Sequence, residues 1–148
     1  MGGSGWERRS RPLYSLGGFM TVAAPIAVKL HRQSKVLELC WGDQTHHLPA
    51  ELLRVYSPSA EVRGHGAGER ILQTGKKYVA LTNVEAVGRY ALRLIFDDGH
   101  DSGLYTWGFL RELGNRQDRF WADYERDLKL ANASRLPAVA LKSWSPEG

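Results

Sequence analysis

Cysteine is nearly absent from this 148-residue chain: Cys40 stands alone. That excludes an intramolecular disulfide and any C-x-x-C metal or redox site. Long apolar runs are missing as well. No stretch approaches the roughly 20 apolar residues needed to cross a bilayer. The opening MGGSGWERRSRPLYSLGGF carries arginines but lacks the continuous apolar segment of a signal peptide. The chain therefore reads as cytoplasmic, with no membrane partner. Charge of one sign is also scarce away from the ends. Of the formal +4, residues 1–19 hold three arginines against one glutamate, and residues 132–148 hold Arg135 and Lys142 against Glu147. Between them, 15 basic residues face 14 acidic ones. The basicity thus belongs mostly to the ends, and no nucleic-acid partner is expected. Arg54, Arg63, Arg70, Lys76 and Lys77 could form a local basic groove, although solvated loop charges are the simpler account.

What is present is the pattern of a single globular domain. Residues 1–19 read as an unstructured leader, with Met20 as the natural start; the domain spans 20–131, and 132–148 form a loose C-terminal tail. Ile26, Val28 and Leu30 alternate with Ala27, Lys29 and His31, the period of a half-buried strand. After RQSK, Leu37, Leu39 and Trp41 form a second alternating strand, ended by Gly42-Asp43; QTHHL forms a third. PAELLRVY places a proline where a short helix begins. The next stretch, SPSAEVRGHGAGERILQTGKK, is irregular and glycine-rich. Connections beyond about 12–15 residues are usually functional or disordered. YVALTNVEAVG and RYALRLIF then read as strands, the latter with Tyr90, Leu92, Leu94 and Phe96 on one face. TWGFLREL and NRQDRFWADYERDLKLA read as helices, and the second carries Phe120, Trp121, Tyr124, Leu128 and Ala131 on one stripe. Strands first and helices last predict an α+β fold: a small, mostly antiparallel sheet of about five strands followed by two C-terminal helices.

The stretch densest in chemistry is FDDGHDSGLYTW, Phe96–Trp107. One reading is an enzyme using Asp98, His100 and Ser102, but triad members normally come from separated segments. The glycine spacing is not that of a nucleophile elbow, and the register is not that of a calcium loop. The other reading is a turn, with Asp97-Asp98-Gly99 reversing the chain and Ser102 or Thr106 capping the next helix. Five histidines (His31, His46, His47, His65 and His100) are candidate metal ligands. His46 and His47, adjacent on a strand, point to opposite faces and cannot both join one site with the others. Trp107, Phe109, Phe120, Trp121 and Tyr124 read as core residues rather than a stacking platform.

LRVYSPSAEVRGHG (53–66), VEAVGRYALRLIFDDGHDSGLYTWGFL (84–110) and FWADY (120–124) together resemble a family of small bacterial proteins. That family is named for its similarity to the N-terminal domain of gamma-butyrobetaine hydroxylase. The full-length hydroxylases are iron- and 2-oxoglutarate-dependent, but their chemistry belongs to a separate domain. With no H-x-[DE]…H triad here, the resemblance does not carry hydroxylase activity over. It does imply a zinc module of the C-x-C-x-x-C type plus a histidine. In this chain those positions read Ser57, Ser59, Val62 and His100, so the thiolates are gone. An oxygen/nitrogen site for iron or zinc would then use His100 and His65 with Asp98 or Glu61. Related domains fused to ATPases of the iron–sulfur carrier type suggest iron handling as a context. The resemblance implies a family-signature surface of Arg54, Ser57, Ser59, Glu61, His65, Asp97, Asp98, Gly99, His100, Ser102 and Trp107. The leading expectation is a non-catalytic accessory module that docks on a protein partner through Ser57–Gly75 and Asp97–Gly103. The alternative is a metal-binding protein.

Overall fold

The computed structural model describes residues 22–63 and 70–138. Tight hairpins build its first half. β1 (Ala27–His31), β2 (Val36–Cys40) and β3 (Thr45–Pro49) pair antiparallel in that order, Ala27 opposite Cys40 and Cys40 opposite Thr45. Pro49, extended at φ −66° and ψ 145°, leads into α1 (Ala50–Val55), where its missing N–H costs nothing. A short helix, α2 (Ala60–Arg63), follows. β4 (Leu81–Val87), β5 (Ala91–Phe96) and β6 (Leu104–Thr106) make a second antiparallel set in chain order. α3 (Trp107–Asn115) and α4 (Gln117–Leu130) complete the described residues' helices.

The expected single sheet of about five strands is therefore corrected to two sheets of three strands each. Alternation reveals strands but not which strands share a ladder. The excursion through α1 and α2 starts a new sheet at β4, and β6 is three residues long, too short to show a period. Two facing assignments also change. Ile26, just before β1, is 75% exposed and Val28, within this edge strand, 38%. Tyr90 lies in the turn before β5 rather than on its buried face.

One core nevertheless joins the two sheets. Leu37, Leu39 and Leu48 from the first meet Leu94, Phe96 and Tyr105 from the second around Leu52 and Leu53 of α1, with Leu110, Leu113, Tyr124 and Leu128 closing the other side. The β1–β2 hairpin is also tied across: Arg32 Nη1 donates to Thr82 O at 2.8 Å and Lys35 Nζ to Tyr78 O at 3.0 Å. No helix among the described residues is long and apolar enough to cross a membrane. The expected leader, residues 1–19, lies outside the described residues. Of the expected tail, 132–138 are described, and they run back over the body through hydrogen bonds from Gly75 N to Ser134 O and from Lys77 N to Arg135 O.

Candidate functional site

β5 ends at Phe96, and the chain reverses at once. Phe96 N–H donates to His100 O at 3.0 Å, Gly99 N–H to Phe96 O at 3.1 Å, and Asp98 Oδ1 accepts His100 N–H at 3.1 Å. Gly99 sits at φ +93°, a conformation that side-chain-bearing residues rarely adopt. Asp97 ties the turn to the strand entry, its Oδ1 accepting Ala80 N–H at 3.1 Å. The helix cap is Thr106, whose Oγ1 accepts Phe109 N–H at 3.2 Å. DDG is thus a turn, as the second reading of the sequence has it.

Facing this turn is the segment that leaves α1. Ser57 Oγ accepts Ser59 N–H, and Ser59 Oγ accepts Glu61 N–H, both at 3.2 Å, so the serines shape the entry to α2. The two segments interlock. Ser57 Oγ lies 2.8 Å from His100 Nε2, Glu61 Oε1 lies 3.0 Å from His100 Nδ1, and Ser59 Oγ lies 2.6 Å from Ser102 Oγ. Since Ser57 Oγ already accepts from Ser59, its own hydrogen suits a neutral His100 that donates from Nδ1 to Glu61. Burial first, then the Arg54 charge, lower the imidazole's pKa and outweigh Glu61 and Asp98, which act the other way.

Asp98 anchors a second set of contacts. Its Oδ2 accepts Arg54 Nε at 2.8 Å and Lys76 Nζ at 2.6 Å. Partial burial alone would raise this carboxyl, but the hydrogen bonds from Lys76, the His100 amide and Arg54 hold it at about 2. Among the described residues, Arg54 Nη1 has no hydrogen-bond partner. Beside the turn, Arg93 spans Glu85 at 2.8 Å and Asp101 at 2.9 Å.

Asp98, His100 and Ser102 do not converge as a triad: each is engaged with a different partner. A different serine–histidine–carboxylate chain, Ser57–His100–Glu61, is assembled instead. Its serine and histidine are sealed, with Ser57 0% and His100 5% exposed, while Glu61 stands at the surface. A Cβ on Gly103 would fall 2.5 Å from Ser57 Oγ, so the serine has packed backbone where a substrate carbonyl would have to lie.

Of the expected metal set, only His100, Asp98 and Glu61 lie among the described residues, and each is engaged in contacts of its own. Val62 is a core residue, 1% exposed, and offers no donor. Both nitrogens of His100 are occupied, and two cations already neutralise Asp98. His65 lies outside the described residues. Among those described, no three His, Cys, Asp or Glu side chains cluster at metal-holding distance. Neutral hydroxyls in place of thiolates, beside a ring whose two nitrogens are both hydrogen-bonded, make a poor fit for a zinc or iron ion. The other histidines serve elsewhere: His31 pairs with Glu38 at 2.7 Å, and His46 contacts Gln44 at 3.3 Å.

Much of the expected signature surface lies beneath the surface. Arg54, Ser57, Ser59, His100 and Trp107 are buried, whereas Glu61, Asp97, Asp98, Gly99 and Ser102 reach solvent. Trp107 braces the β4–β5 turn, its Nε1 donating to Arg89 O at 2.7 Å. The Ser57–His100 hydrogen bond spans 43 positions, and no spacing rule reveals it.

The family model described as gamma-butyrobetaine hydroxylase-like, N-terminal, matches residues 28–111. Comparison with curated proteins gives no match. Among solved structures, an NMR solution structure is 53% identical, covers 80% of this chain and 94% of that one, and superposes with a TM-score of 0.70. A second NMR solution structure is 45% identical over 80% of this chain and 89% of that one, at 0.68. A crystal structure of a protein of unknown function from Acidithiobacillus ferrooxidans, of the DUF971 family, is 37% identical over 61% of this chain and 91% of that one, at 0.51.

Proposed function

The chain belongs to the gamma-butyrobetaine hydroxylase-like N-terminal family, whose model covers more than half of it, and on that premise we propose that it acts as a non-catalytic interaction module. Its docking face joins residues 57–63 to the turn 97–103, and its partner is another protein. The observation that carries this reading is the Ser57–His100 bond at 2.8 Å, seconded by Ser59–Ser102 at 2.6 Å. These bonds use the reactive groups internally and make one rigid unit of two distant segments. A rigid unit loses little conformational freedom on docking. At its rim stand polar groups that, besides their internal contacts, reach solvent: the Glu61 side chain is 68% exposed and that of Asp101 50%.

The test is site-specific photo-crosslinking in cells of the source organism. A photoreactive residue is placed at position 61, at position 101 and, as a control on α4, at position 119, where the arginine side chain is 69% exposed. The same cross-linked protein should appear from 61 and 101 and not from 119. Equal capture from all three positions, or none from 61 and 101, would refute the docking face.

A further inference from the structure

On the opposite end of α1 a carboxylate is buried with one partner. Glu51 lies in the first turn, and its residue is 5% exposed. An unpaired carboxylate would be costly there. It is met by Arg135, which donates from Nε to Oε2 at 2.8 Å and from Nη2 to Oε1 at 2.7 Å. This two-pronged geometry suits a guanidinium and not an ammonium. The Arg135 Cζ also lies 5.1 Å from the centre of the Trp121 ring, so an aromatic face reads the same cation. On either side the backbone is read too: Gly75 N–H donates to Ser134 O and Lys77 N–H to Arg135 O, both at 2.9 Å.

These parts divide unequally between the two sides. Glu51, Trp121 and the 75–77 backbone belong to the body of the fold. Arg135 belongs to a stretch that has left α4 at Leu130, and its neighbour Leu136 is 53% exposed. The stretch is held by the Arg135 side chain, by Ala133 against the core and by a few main-chain bonds, in the manner of a short bound peptide. The space is also close-fitting: a Cβ on Gly75 would come within 3.3 Å of Pro137 Cα.

We propose that the notch formed by Glu51, Trp121 and residues 75–77 is a recognition site for an arginine-bearing peptide segment, which the chain fills in cis with its own residues 133–137. A partner carrying such a segment would displace it. The tether gives the internal segment an effective concentration on the order of millimolar, so a competing segment binds visibly only when it is abundant or when the internal arginine is removed.

The experiment uses the full chain carrying Arg135→Ala and a synthetic peptide matching residues 132–138. Binding is followed by NMR at the Gly75 and Lys77 amides and the Trp121 indole. Saturable binding is expected, with shifts confined to those groups. It should be at least tenfold weaker with a peptide carrying lysine in place of the arginine, and at least tenfold weaker on wild-type protein. A folded variant that ignores the peptide, or one that takes both peptides equally, overturns the proposal. So does a wild type that binds as well as the variant. Arg135→Lys serves as a second acceptor, keeping the charge on Glu51 while losing the fork. Hydrogen exchange on the wild type is an independent measurement. Gly75 and Lys77 should exchange by local opening of the segment; exchange only through global unfolding would mean that the contact is not displaceable and would overturn the proposal.

Discussion

Ser57 Oγ and His100 Nε2 stand 2.8 Å apart, joining the residues that leave α1 to the turn that ends β5. Both side chains are buried, so the bond has no water to compete with it. Losing either partner leaves the other unsatisfied, and that asymmetry governs what substitution should do.

His100→Ala is expected to lower stability by about 2–3 kcal/mol, since it strands the Ser57 hydroxyl and opens a void. Ser57→Ala should cost about 1 kcal/mol. The double variant should fall short of the sum, because one interaction is being counted twice. Urea unfolding of the four proteins measures the coupling; strict additivity would show that the bond contributes nothing.

Gly103 is the residue over which Ser57 fits. A Cβ there would lie 2.5 Å from Ser57 Oγ and 3.1 Å from the Tyr105 ring. Gly103→Ala should therefore cost about 1–3 kcal/mol. Adding Ser57→Ala removes the nearest clashing atom, and part of the stability should return. A Tm for the pair no higher than that of Gly103→Ala alone would place the strain elsewhere.

Acid should weaken the fold in two separate steps. His100, whose ordinary value is 6.5, is lowered in the folded protein by burial and by Arg54 against Glu61 and Asp98. As pH falls below 6.5 the unfolded chain therefore takes up this proton first, and stability declines until the folded value is passed. Asp98 works at lower pH: its carboxyl moves from 3.8 to about 2, so its contribution is whole above 3.8 and is lost as pH falls toward 2. In a series of Tm against pH, His100→Gln should shrink the upper step, to which the burial-lowered His46 also contributes, and Asp98→Asn should shrink the lower. An unchanged profile in either variant would remove that residue from the account.

Tyr105 donates its hydroxyl hydrogen to Leu53 O at 2.7 Å from a fully buried position. Tyr105→Phe should cost about 1–2 kcal/mol, because the Leu53 carbonyl keeps its burial and loses its donor. A loss below about 0.5 kcal/mol, read by denaturant midpoint at constant slope, would mean that another donor reaches this carbonyl.

Much of the fold is legible in the sequence because its signals are local. The alternation of Leu37 and Leu39, the proline before α1, the DDG turn and the stripe through Tyr124 and Leu128 each need only a short window. What stays hidden depends on distance. Whether β3 and β4 share a ladder is decided by the excursion between them. β6 exists because Tyr105 finds Leu92 across from it. The candidate site is half legible: resemblance places Ser57, Ser59 and His100 in one constellation, but the hydrogen bonds that replace thiolate chemistry appear only once the two segments meet. Arg135 is invisible as a site residue, since an isolated arginine after a helix carries no signal of the buried carboxylate awaiting it.

Asp98 Oδ2 receives hydrogen bonds from Arg54 and Lys76 at once. A single oxygen thus serves as the common rivet of three stretches: the end of α1, the strap before β4 and the turn after β5. None of the three can loosen without setting a charge adrift in a poorly hydrated place. They should therefore open together as one cooperative patch, the end of α1 and the turn after β5 sharing a protection level in hydrogen exchange although they are far apart along the chain, while the Gly75 and Lys77 amides follow the 133–137 segment that covers them.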